Sequence, residues 1–325
     1  MANFSQTQSK WKYLYHKKNV ILWSLSLSGI SLIFYLFCSG PMQGVERPLW
    51  YRIGTYIFQN LALIGSGLLC LRNGFSRQMP SGSKVWLMIG IALFSFLIGN
   101  LFFGLWELAW HLDPVGSLGD PFFVIFYIFL SLGMLLAIAS KRIQLKIYQW
   151  VIIAGITLYA GIIAAWVMTP PPAADNPIAT AAVVAIQPDR VTQNTTSAPP
   201  PTGIDPPSPD APGWVKSADL ALKPYGETLS RFYVWCDVAL FSLAVAMILA
   251  FWGGRLSNAW QVNAQAIICF YIADMWLVYA TNHISGYQSG FMVEVFWVFG
   301  MVQFGVAAVL EFEHMLARQK LEMSE

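Results

Sequence analysis

The chain has 325 residues, 56% of them hydrophobic and 11% charged, with a net charge of +2 and a mean hydropathy of +0.54. A soluble domain usually carries about 25% charged residues, so the composition excludes one and points to a polytopic membrane protein. No basic stripe stands out beyond the ends of apolar segments, which excludes a nucleic-acid partner.

The first 18 residues are polar and basic and read as a cytoplasmic tail. The apolar run after them is long enough to span and lacks a small-residue cleavage site, so it reads as an anchor, not as a removed signal peptide. At about 20 mainly apolar residues per span, helices fall near 19–38, 52–71, 85–110, 121–140, 147–168, 232–252, 263–280 and 292–311. The four cysteines, Cys38, Cys70, Cys236 and Cys269, lie inside these runs and read as small core residues. Residues 169–230 form a Pro-rich linker with little means of building a core. The end of that linker, WVKSADLALKPYGETLSRF, regains apolar residues and could form a short interfacial helix. Residues 312–325 read as a cytoplasmic C-terminal helix.

An even number of spans puts both termini on one side. Thirteen Lys and Arg fall on the side of the termini and six on the other, so both ends are expected in the cytoplasm of a bacterial plasma membrane.

The two halves look related. TYIFQNLAL (55–63) aligns with FYVWCDVAL (232–240), which pairs Asn60 with Asp237. At an offset of 174, Asn100 pairs with Asp274 and Asp120 with Glu294. The fold class expected is therefore all-α, with two parallel four-helix repeats. The first spans 19–168; the second takes the fifth span, 147–168, as its first helix and runs on through 231–311. Such an arrangement has a pseudo-two-fold axis along the membrane normal.

GSLGDPFFVIFYIFLSLGMLLA (116–137), RFYVWCDVALFSLAVAMILAF (231–251) and FYIADMWLVYA (270–280) resemble the membrane-embedded input regions of bacterial GGDEF diguanylate cyclases and sensor histidine kinases. The resemblance implies a multi-helix sensor array ahead of a cytoplasmic output domain. Here the last span continues only as EFEHMLARQKLEMSE, so any output is expected from a partner protein.

Acidic and amide side chains within lipid-spanning runs usually face a bundle interior. Asp274, Asp237, Glu294, Asn100, Asn60, Asp120 and Glu107 are the candidates for binding a ligand or proton in a cavity facing away from the cytoplasm. Each has a structural alternative. Asp120 before Pro121 suits a helix cap, Glu294 suits the positive end of a helix dipole, and Asp237 and Asn60 suit bonding between helices. Asp274 is too deep to be a cap. Trp106, Trp276 and Trp297 are candidates to line the pocket, or members of an interfacial belt. His111 and His283 are weak metal candidates, two residues out of register in the repeat. No cofactor is named by any motif. Neither a Ser-His-Asp set nor a phosphate loop is visible, so an enzyme is not expected. The functions in view are a stand-alone sensor acting through a partner, an assembly factor of a larger membrane complex, and a small-solute or ion transporter.

Overall fold

The computed structural model describes residues 17–40, 47–76, 78–112, 114–140, 145–170, 211–251, 257–284 and 287–324. The basic tail before Lys17 and the Pro-rich stretch 171–210 lie outside the described residues.

The fold is all-α, with nine helices among the described residues: α1 (Lys17–Cys38), α2 (Leu49–Gly74), α3 (Ser83–Gly104), α4 (Asp120–Ser140), α5 (Ile147–Met168), α6 (Gly213–Leu222), α7 (Gly226–Ala250), α8 (Ser257–His283) and α9 (Val295–Glu322). They belong to eight stretches long and apolar enough to cross a membrane, the short α6 sharing one of them with α7. The chain is an integral membrane protein in contact with lipid.

Prolines set several helix starts. Pro48 caps α2, Pro121 is the second residue of α4, and Pro212 precedes α6. A proline there gives up no hydrogen bond, because the first amides of a helix have no intrahelical acceptor. Several boundaries differ from the expected spans: α7 begins at Gly226, six residues before 232, and α2 extends three residues beyond 52–71 at each end. α8 begins at Ser257, six residues before 263. Asn258, Gln261 and Asn263 lower its hydropathy but leave helix formation intact. α9 runs without a break to Glu322, joining the eighth span to the expected C-terminal helix. α3 passes into a π turn, Leu105–Ala109. The interfacial helix expected before the sixth long span is α6, joined to α7 by the 3₁₀ turn Lys223–Tyr225.

Six helices close a ring in the order α2, α3, α4, α7, α8, α9 and back to α2. α1 packs outside it on α9 and α2, and α5 on α7 and α8. α2 runs parallel to α9. Tyr51 O–H donates to the Gly290 carbonyl at 2.5 Å near one end, and Asn73 Nδ2 donates to the Ala308 carbonyl at 2.7 Å near the other. α4 and α7 are parallel in the same way, through Tyr233 to Asp120 and Tyr127 to Asp237.

Lipid tails are as apolar as leucine, so close packing and buried hydrogen bonds hold such helices together. Aromatic rings fill the ring's interior. Trp86 and Trp260 meet at 5.6 Å and Phe96 and Phe270 at 5.6 Å, each pair separated by 174 residues. α8 and α9 approach closely at Gly300, where a Cβ would lie 2.7 Å from the Ala266 carbonyl oxygen.

Candidate functional site

Most of the polar residues singled out in the sequence lie toward one end of the bundle, the end at which α2, α4, α7 and α9 begin. They form several separate groups there, each supplied with hydrogen bonds from the chain itself.

Glu294 closes a 3₁₀ turn, Met292–Glu294, just before α9 and is 1% exposed. It accepts from Tyr287 O–H at 2.5 Å, Ser289 Oγ at 2.6 Å and the Gly290 amide at 2.6 Å. A buried carboxylate needs such donors to offset its lost hydration. Arg47 stands within electrostatic reach, and its Nη1 donates to the Ser289 carbonyl at 3.0 Å. Tyr287 also accepts from Trp276 Nε1 at 3.0 Å. Burial, then the Glu294 charge, raises the Tyr287 phenol above its ordinary pKa.

Asp120 occupies the matching place in the first half. It accepts from the Gly116 amide at 2.9 Å, the Ser117 amide at 2.6 Å and Tyr233 O–H at 2.6 Å. Gly116 and Gly290, also 174 residues apart, both have positive φ, 84° and 108°. That backbone turns each glycine amide toward the acid four residues on, and an L side chain resists it. The lead into the other half's helix covers each glycine. A Cβ on Gly116 would lie 3.1 Å from the Leu222 carbonyl oxygen, and one on Gly290 would lie 2.9 Å from Arg47 Nη1.

The paired positions Asn60/Asn100 and Asp237/Asp274 are also brought together. Asn100 Nδ2 donates to Asn60 Oδ1 at 3.0 Å. Asp237 and Asp274 interact electrostatically, and each takes a donor from a further helix: Tyr127 O–H to Asp237 at 2.8 Å and Trp297 Nε1 to Asp274 at 2.8 Å. A narrow space beside Asp237 is lined by Phe126, Leu130, Leu240, Ile267, Phe270 and Tyr271.

Glu107 stands apart on the π turn, paired to Arg52 at 2.9 Å and accepting from Tyr56 O–H at 2.5 Å. Trp106 packs with Trp110, Leu112 and Val215 beneath α6, away from the hydrogen bonds made by Trp276 and Trp297. His111 is exposed, and the His283 ring stacks on Tyr279 at 4.6 Å. Among the described residues no group of three or more His, Cys, Asp or Glu is placed to hold a metal.

Comparison with known proteins adds no relative: no family model, curated protein or solved structure matches the chain.

Several polar residues escaped the sequence reading. Arg47 and Gln288 tie the segment before α2 to the turn before α9, the Arg47 amide donating to Gln288 Oε1 at 3.0 Å. At the opposite end, buried Glu311 accepts from the Ser81 amide at 2.8 Å. Asn263 is fully buried inside α8. It stands 174 residues after Ile89, so a scan for polar residues matched across the repeat passes over it. Spacing gives a better signal: Asn263, Ile267 and Asp274 follow an i, i+4, i+11 stripe on one helix face.

Proposed function

We propose that this protein is a sensory module of a bacterial inner membrane. In this reading it responds at the acid-bearing end and passes the response through α9 to a partner protein. The observation that carries the reading is the course of α9. Its first turn adjoins Glu294, which gathers Tyr287, Ser289 and Gly290 beside Arg47. The helix then runs unbroken for 28 residues, about 42 Å at 1.5 Å per residue. That exceeds a hydrocarbon thickness of about 30 Å. Its last turns leave the bundle with Arg318, Lys320 and Glu322 exposed. A change at Glu294 therefore has one rigid element along which to reach a charged surface, and helix shifts of this kind are a common switching motion.

The Lys/Arg balance supports cytoplasmic termini, and the matched turns at Gly116 and Gly290 support a parallel repeat. The likeness to bacterial input regions favours the same function. Transport is less well supported, because Trp86, Trp260, Phe126 and Phe304 pack the middle of the ring. An assembly factor also needs a partner, but it needs no response at Glu294.

Spin labels at Lys84→Cys and Arg318→Cys, with and without Glu294→Gln, test the proposal in lipid nanodiscs. The sensory reading expects the interspin distance distribution to shift and partner capture from native membranes to change. Unchanged distances with undiminished capture would leave the assembly reading. Capture of nothing would remove both.

A further inference from the structure

The two halves of the ring meet at two seams, α9 with α2 and α4 with α7. The repeat makes these seams counterparts, since α2 matches α7 and α4 matches α9. They are built differently.

The α9–α2 seam is closed along its length. Tyr51 and Asn73 of α2 donate to the Gly290 and Ala308 carbonyls near its two ends. Between them Cys70 Sγ approaches the Phe304 carbonyl at 3.8 Å. A Cβ on Gly305 would lie 2.7 Å from Ser66 Oγ and 3.2 Å from Ser66 Cα. Small residues allow the close backbone approach from which helices in lipid gain packing energy. α1 packs on both helices from outside.

Contact between α4 and α7 is far sparser. The one glycine of α4, Gly133, faces α3, where a Cβ would lie 3.1 Å from Ile89 Cγ1. α7 has a glycine only at its first residue, Gly226. α5, the counterpart of α1, lies on α7 and α8 instead. Two bonds from tyrosines to carboxyl groups hold the seam, Tyr233 O–H to Asp120 at 2.6 Å and Tyr127 O–H to Asp237 at 2.8 Å. The two tyrosine rings stack at 5.6 Å. Asp120 and Tyr127 are the first and eighth residues of α4, so this grip lies toward the acid-bearing end. Behind it is the narrow space bounded by Phe126 and Leu130 of α4, Asp237 and Leu240 of α7 and the facing side of α8. The ring thus runs through extensive contacts from α4 by way of α3, α2, α9 and α8 to α7. Its weakest contact closes that series.

We propose that the α4–α7 seam is a lateral clasp, which opens toward lipid while the α9–α2 seam serves as the hinge. Where two matched seams differ in packing, the sparser parts at the lower cost, and hinged rigid bodies are a common form of switching. Opening parts Tyr127 and Tyr233 from their carboxyl partners and gives lipid a route to the space beside Asp237. This motion is separate from a shift along α9 and does not depend on the sensory reading.

Double electron–electron resonance on the full chain in lipid nanodiscs tests the clasp. Labels at Ile128→Cys and Ala239→Cys, both exposed, straddle the α4–α7 seam. Labels at Phe75→Cys and Arg318→Cys, also exposed, straddle the other, close to where Ser76 Oγ meets Met315 Sδ. Tyr127→Phe combined with Tyr233→Phe should move the α4–α7 distances several ångströms longer and leave the α9–α2 distances in place. An α4–α7 distribution unmoved by the double variant would overturn the proposal. So would equal lengthening at both seams, which marks general loosening. Should the double variant fail to fold, the wild-type chain decides: its α4–α7 distribution should be the broader of the two, and one no broader than that of α9–α2 refutes the clasp.

Discussion

Gly290→Ala tests the clasp that holds the acid-bearing end together. Gly290 has φ +108°, and a Cβ there would lie 2.9 Å from Arg47 Nη1 and 3.0 Å from Tyr51 Cε1. Neither neighbour has room to yield: Arg47 is 6% exposed and Tyr51 0%, and both are hydrogen-bonded to the Ser289–Gly290 segment. Backbone strain of this kind costs about 1–3 kcal/mol, and overpacking typically adds about 1–3 kcal/mol. The expected loss is therefore about 2–6 kcal/mol. Gly82→Ala separates the two contributions, because Gly82 has φ +97° with nothing within 4 Å of a built Cβ. It should cost the strain alone. Gly155→Ala, in open space with an ordinary helical backbone, should cost close to nothing. Unfolding of all three in mixed micelles, followed by tryptophan fluorescence, gives the comparison. A Gly290→Ala loss no larger than that of Gly82→Ala would show that the Arg47–Tyr51 clasp does not grip the turn.

Tyr287→Phe removes the donor to Glu294 and the acceptor for Trp276, at a cost of about 2–4 kcal/mol in the same unfolding assay. The wild-type chain should also lose stability above about pH 10, where the unfolded phenol ionises and the folded one, with its raised pKa, does not. The phenylalanine variant should lack that component of the alkaline loss, as a pH series of unfolding midpoints would show. Asn73→Ala deletes the 2.7 Å bond to the Ala308 carbonyl and should cost about 1–3 kcal/mol. Disulfide trapping between cysteines placed on α2 and α9 should become less selective in that variant. Trp297→Phe leaves Asp274 without its indole donor and should cost about 1.5–3 kcal/mol. Trp276→Phe, which loses a neutral bond, should cost less.

The eight spans were legible because hydropathy and length alone define them, and the prolines mark where several begin. Helix adjacency was not. α1 and α5 stand at corresponding places in the repeat, yet α1 packs on α9 and α2 while α5 packs on α7 and α8. Both carry near-continuous apolar sequence, so periodicity does not say which neighbour each meets. The repeat offsets matched Asn60 with Asp237 and Asn100 with Asp274, but they did not say that Asn60 meets Asn100 or that Asp237 meets Asp274, because an offset relates equivalent positions and not neighbouring ones. The expectation of one shared cavity did not follow. Burial of a polar group demands a hydrogen-bond partner, and here the partners were tyrosines, tryptophans and loop amides, which carry no signal in a scan for charge. Asn263 went unmarked for the opposite reason: it is neutral and lies in the half of the bundle that reads as apolar.

The contrast between the amide pair and the acid pair has a structural consequence that the hydrogen bonds make explicit. Asparagine carries both donor and acceptor, so Asn60 and Asn100 bond to each other and join α2 to α3 with no outside help. A carboxyl group brings fewer donors than an amide, and the pair at the corresponding places draws its donors from elsewhere. Asp237 takes its donor from Tyr127 on α4, and Asp274 takes its donor from Trp297 on α9. The exchange of amide for acid thus turns a bond internal to one helix pair into two bonds directed outward from the other. One of them crosses from α7 to α4, one of the two contacts in the ring at which the first four spans meet the last four. The other ties α8 to the first turn of α9, just after Glu294. The acid pair therefore bonds beyond its own two helices, and α9, the helix that leaves the bundle, is held at its start by both acids nearest to it.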